Sequence, residues 1–191
     1  MPLPWPLPDR TDLRDQLVAA YSTDRGYHDL RHLTEVLDRI DELGEARNVE
    51  VVLAAWFHDA VYDRAGNNEE RSAQLAESTL SGSGVDVDEV ARLVRLTVTH
   101  RPSLGDYNGE VLCDADLAIL AAPPERYAEY VAGVRREYAD VPDEDFRVGR
   151  LAILESLAAK PRLFATEHAR REWESAARAN LAAEIAELRG S

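Results

Sequence analysis

The segment Val51-Val52-Leu53-Ala54-Ala55-Trp56-Phe57 runs directly into His58-Asp59, and no other feature narrows the fold of this chain as much. A helix turns its residues through every direction, so one that is apolar all round has no face to give to solvent. Such a helix must be buried, and it carries His58 and Asp59 in with it. A buried ionised carboxylate beside an imidazole is costly unless a partner or a metal ion compensates it. A second apolar run, Val111-Leu112-Cys113-Asp114-Ala115-Asp116-Leu117-Ala118-Ile119-Leu120, takes two more acids into similar surroundings. Histidines and aspartates hidden on separate segments are the donor set of a metal centre.

Helical periodicity dominates the rest of the chain, and strand alternation is nearly absent. The pattern predicts helices over about 9–22, 27–43, 48–62, 68–81, 86–100, 111–121, 124–139, 143–159 and 167–188. Gly44, Gly66-Asn67-Asn68 and Ser81-Gly82-Ser83-Gly84 read as stops or turns, as do Pro102, Pro123-Pro124, Pro142 and Pro161. No linker is long enough to separate two domains, and no internal repeat is present. The expected architecture is an extended Pro-rich arm over 1–8, with Trp5 pinned to the surface, followed by a single all-α bundle over 9–191. Within it lie a metal-site core over about 25–121 and C-terminal helices over about 124–188. In that tail Tyr127, Tyr130, Tyr138 and Trp173 are expected to pack the amphipathic helices. The tail's apolar faces serve a homodimer or simply complete the fold.

The 191 residues can bury a sizeable core, and 45% hydrophobic with 30% charged residues fits an ordinary folded protein. A formal net charge of −14 argues against nucleic acid or an anionic membrane as partner, because both select positive surfaces. One small phosphorylated molecule remains open to it, since a metal meets that charge locally. Lys160 is the only lysine, and the single Cys113 rules out a disulfide framework within one chain, which points to a reducing cytoplasm. Met1–Pro8 lacks the basic leader and apolar stretch of a signal peptide, and no segment is apolar for long enough to span a bilayer.

His28 and His32 are four apart, so on a helix they share one face. His58 and Asp59, adjacent, can both reach one ion from a helix end. Imidazole with carboxylate suits Zn, Fe, Mn or Ni and is too nitrogen-rich for Ca. Each pair alone has an ordinary structural reading, as a satisfied core histidine or a chance dipeptide. Asp114 and Asp116, two apart, point to different sides of a helix, so only one of them binds a given metal directly. His100, after Leu96-Thr97-Val98-Thr99, can reach the same cavity as an extra ligand or substrate contact, or can act as a helix cap. Glu69 reads as a base or as one of the charges of a solvated helix start, and Arg25 and Arg101 as holders of a phosphate.

Taken together, His32, His58-Asp59 and an Asp within Asp114-Ala115-Asp116 resemble the HD superfamily of metal-dependent phosphohydrolases, over most of residues 25–121. The tail looks like that of a small bacterial branch of the superfamily. Tyr27-His28-Asp29-Leu30-Arg31-His32 is similar to the Tyr-His-Asn-x-x-His string of cyclic-nucleotide phosphodiesterases, with Asp29 in place of Asn. The resemblance implies His28 as proton donor and His32 as ligand, and Ala115-Asp116-Leu117 makes Asp116 the preferred fourth ligand with Asp114 in reserve. Asp63 takes the second place of the Glu-Asp pair found in enzymes of this type that hydrolyse guanosine tetraphosphate. Tyr62 takes the first, a departure from that pattern.

The expectation is a metal-dependent hydrolase of a phosphate ester or anhydride, with a nucleotide as the leading substrate. It would use one or two divalent ions, Mn, Fe, Zn or Ni with Mg also open, and Asp59 would bridge them if there are two. Two other classes stay open. One is a di-iron oxygenase using His100, and the other a non-catalytic nucleotide-binding module stabilised by its metal.

Overall fold

The computed structural model describes residues 3–63 and 66–190 and is all-helical, with no strand among the described residues. The helices gather into two compact units, one running through Asp116 and the other from Leu117. The first is built on α3 (Val49–Phe57), every residue of which from Val51 to Phe57 is buried. Around it lie α1 (Thr11–Tyr21), α2 (Leu30–Glu42), α4 (Asn68–Leu80), α5 (Val87–Leu96) and α6 (Tyr107–Leu117). The helices α2, α4 and α5 all pack against α3, and α4 also packs along α5. The amphipathic helices α2 and α5 turn Leu33, Val36, Leu37 and Ile40, and Val90, Leu93 and Val94, into this core.

Side-chain caps set the ends that matter. Asp29 accepts the backbone N–H groups of Arg31 and His32, so α2 starts at Leu30 and not at 27. Asn48 caps α3 and Asp86 caps α5 in the same way. Gly44 closes α2 with φ at +83°, a conformation in which other residues are strained. The helix expected from 111 starts earlier, at Tyr107, because Asp106 accepts the Gly109 N–H while its carboxylate is gripped by Arg92. A Cβ on Gly109 would press on the Asp106 carboxylate and on Leu96 Cδ2 at 2.7 Å, so a larger residue would have to push both side chains aside where α6 passes the end of α5.

The described residues of the N-terminal arm, 3–8, are non-helical and lie on this unit. Trp5 meets Trp56 edge-on at 5.1 Å, and the Trp56 indole N–H donates to the Pro4 carbonyl at 2.8 Å.

The second unit contains a 3-10 turn (Ala118–Ala121), α7 (Pro124–Glu137), α8 (Asp143–Ala158), α9 (Glu167–Glu172) and α10 (Glu174–Gly190). The helix expected over 167–188 is broken at Trp173, whose ring packs on Phe164 at 5.6 Å. The Glu174 carboxylate next to the break accepts the backbone N–H groups of Leu163 and Phe164. Tyr127, Tyr130 and Trp173 are buried, whereas Tyr138 is exposed. Buried Arg150 forks onto Glu184, which also takes the Tyr127 hydroxyl, and Tyr130 accepts from Arg150, so this internal charge pair is satisfied on all sides.

Candidate metal centre

Three elements of the first unit deliver side chains to one point. His32 stands in the first turn of α2, oriented by the Asp29 cap. His58 is the C-cap residue of α3 and Asp59 follows it. Asp116 comes from the last turn of α6. His32 Nε2 lies 3.1 Å from His58 Nε2, 3.5 Å from Asp59 Oδ2 and 3.2 Å from Asp116 Oδ1. His58 Nε2 lies 3.0 Å from Asp59 Oδ2 and 3.6 Å from Asp116 Oδ1. His32, His58 and Asp59 form a group that could hold a metal ion, their donor atoms all within 4.8 Å of one another.

The spacing can be tested against bond lengths. Ligand bonds of about 2.0–2.2 Å put neighbouring donors about 2.8–3.6 Å apart, the shorter end octahedral and the longer end tetrahedral. The observed separations of 3.0–3.6 Å match that cage. The tautomers fit as well. A carbonyl only accepts, so the 2.7 Å contact between His58 Nδ1 and the Ala55 carbonyl puts a proton on Nδ1. In the neutral ring the Nε2 lone pair then faces the other donors. Tyr27 Oη meets His32 Nδ1 at 2.9 Å and orients that ring, and since a hydroxyl both donates and accepts it serves either tautomer.

The electrostatics are those of a cation site. Burial by itself would lower the His32 pKa, but Asp116 and Asp59, hydrogen-bonded to it, outweigh burial and push it up to about 10. His58 is raised too, burial being outweighed by the charges of Asp59 and Asp116. Burial works to raise Asp59, yet the charges of His58 and His28 and the hydrogen bonds from both ligand histidines hold it well below the usual carboxylate range. Asp116 is held down likewise, against burial, by the charge of His58 and the hydrogen bonds from His100 and His32. The two carboxylates therefore stay ionised and draw positive charge, as protons or as metal, between the imidazoles.

The backbone of Asp59 is fixed from two sides. Its N–H donates to the buried Tyr21 hydroxyl at 3.2 Å, and its carbonyl accepts from Arg25 Nη1 at 2.8 Å. Arg25 also donates to the carbonyls of His28 and Ala60 and lies over the rings of Tyr21 and Tyr62. Arg25, expected from the sequence to hold a phosphate, has its guanidinium tying the loop after α3 to the segment before α2.

His28 departs from expectation. It precedes the cap of α2 and does not share a helix face with His32, because Asp29 starts the helix one residue after it. Its ring nevertheless lies 5.7 Å from that of His32 and stacks on Tyr62 at 4.4 Å. His100 stands just past α5 with φ at +48°, an uncommon conformation for a residue with a side chain, and its Nε2 lies 2.7 Å from Asp116 Oδ2. It thus holds the carboxylate oxygen that faces away from His32.

Asp114 is buried, and it is Asp116 that brings a carboxylate oxygen within 3.2 Å of His32 Nε2, beside the group formed by His32, His58 and Asp59. Arg101 is exposed in the loop after His100, and Glu69 is half-buried in the first turn of α4; neither is brought into the donor group. Tyr21 escaped the sequence reading, and Tyr27 entered it only as a letter of the Tyr27–His32 string, with no role given. Tyr27 carried a signal by standing next to His28, and Tyr21 carried none.

Access is one-sided. The side chains of His32 and His58 are 3% and 2% exposed, against 13% for Asp59, 14% for Asp116 and 21% for His100. A ligand from solvent meets the carboxylates and His100 first. No family model, curated protein or solved structure matches the chain.

Proposed function

We propose that this chain is a metal-dependent phosphohydrolase of the HD type, cleaving a phosphate ester or anhydride of a small molecule such as a nucleotide. His32, His58, Asp59 and Asp116 would hold the ion. The observation that carries the reading is the set of donor separations of 3.0–3.6 Å from three separate elements, with the His58 lone pair aimed inward by the Ala55 carbonyl. Two imidazoles and two carboxylates suit Zn, Fe, Mn or Ni, and Mg less well. A divalent ion bound there would lower the pKa of coordinated water toward neutrality and draw off charge developing on a phosphoryl oxygen.

The chain's own residues supply the rest. His28, beside the cluster and on no helix, would give a proton to the departing oxygen, a role its ring 5.7 Å from that of His32 supports. His100 holds Asp116 in position through its outer oxygen. Arg25 and Tyr21 keep Asp59 from moving when substrate enters. The net charge of −14 favours a small substrate over a polyanion.

The test is a phosphate-release screen over nucleotides and sugar phosphates, run on chelator-stripped protein with each divalent metal added back. Turnover that requires metal and is lost in Asp59→Ala supports the reading. Metal uptake with no hydrolysis of any phosphorylated compound would overturn it.

A further inference from the structure

We propose that the outer face of α8 is a self-complementary docking surface on which a second copy of this chain packs antiparallel. The surface belongs to the second unit and stands independently of the metal reading. Its exposed residues Asp145, Val148, Gly149, Ala152, Ile153 and Ser156 recur at three- and four-residue spacing, which places them on one side of the helix. Val148 and Ile153 are 55% and 57% exposed, among the few large apolar side chains left to solvent.

Three observations point to a second copy as the occupant. The face reads the same from both ends of α8 about its midpoint, between Arg150 and Leu151. Val148 then answers Ile153, Gly149 answers Ala152, and Asp145 answers Ser156. In an antiparallel isologous contact centred there, each of these residues would face its similar counterpart on the other copy.

The centre of the face is also built for close approach. Glycine inside a helix is unfavourable, yet Gly149 has no positive φ, and a Cβ there would meet nothing within 4 Å. Nothing in the protomer requires glycine at this position, whereas a helix crossing at Gly149 and Ala152 does.

Charge selects the orientation. The entry to α8 carries Asp140, Asp143, Glu144 and Asp145, of which Asp143 pairs with Arg135 and Glu144 with Arg147, and the chain just past its end carries Lys160 and Arg162. Antiparallel packing brings each acidic end to the other copy's basic end. Parallel packing would set acid against acid in a molecule already at −14.

Sedimentation of the full chain over about two decades of concentration around micromolar reads the association directly. A dimer is expected, with Ile153→Glu and Gly149→Trp each weakening it about tenfold or more while leaving the helical circular dichroism unchanged. Both positions face open space in the protomer, so folding is not at stake. Oxidation tests the orientation. The double variant Asp145→Cys with Ser156→Cys should form a covalent dimer, and neither single variant should. A monomeric wild-type chain, a dimer untouched by both face variants, or a covalent dimer in either single variant overturns the proposal.

Discussion

At the scale of single residues, the site separates into side chains that would hold an ion and side chains that would act beside one. Asp59→Ala removes a carboxylate held ionised between two imidazoles, so metal content and turnover should fall together when protein and metal are assayed side by side. His28→Ala leaves the donor atoms in place and should retain its metal while losing about 10²-fold or more in rate. Tyr27→Phe deletes only the hydroxyl that meets His32 Nδ1, and should weaken metal affinity about 10-fold without unfolding the chain, read by competition with a chromogenic chelator.

That His58 and Asp59 are carried inward to meet another histidine is legible in the sequence, because a His-Asp pair ending a wholly apolar segment has few places to go. The sequence could not announce Arg25. A guanidinium that binds three carbonyls depends on how the chain leaves α3, and no spacing of letters records that.

At the scale of elements, positioning is done by helix ends. His32 sits in the first turn of α2, and His58 and Asp59 at the last of α3, where short side chains can converge without steric conflict between helices. Asp29 is the joint between element and site, for it starts α2 and aims His32. Asp29→Ala should cost about 1 kcal/mol of stability. For a chain of this length that is a fall of about 2–4 °C in melting temperature, together with weaker metal binding.

Most helices were legible from their period and their Gly and Pro stops. The start of α2 was not, because the apolar-polar rhythm continues back through Tyr27 and His28 while the backbone N–H groups are already claimed by Asp29. The break at Trp173 was hidden for a similar reason. Its cause is a ring contact with Phe164 and the hold of Glu174 on Leu163 and Phe164, all remote in sequence from the periodicity itself.

At the scale of the whole molecule, the buried charges couple stability to pH. Without metal, His32 has a folded pKa of about 10 against 6.5 for an ordinary histidine. Its contribution is therefore complete below pH 6.5 and declines as pH rises toward 10. Asp59 and Asp116, both depressed, contribute above the ordinary carboxylate pKa and lose that contribution as acid protonates them. A metal held between the imidazoles would take the place of the histidine protons, so it would bind more tightly as pH rises. The melting temperature gained on adding metal should accordingly increase from mildly acidic to mildly alkaline pH, followed by thermal denaturation with and without chelator. A gain that stays constant with pH would mean that no proton is displaced.

The central claim is that two imidazoles and two carboxylates grip one divalent ion. Its most direct test is calorimetric titration of chelator-stripped protein with Zn²⁺ near neutral pH, in buffers of different ionisation enthalpy, beside His58→Ala. The account predicts a saturable ion in the wild-type chain, bound with proton release and lost in the variant. Weak binding of equal strength in both proteins, as exposed carboxylates alone would give, contradicts it.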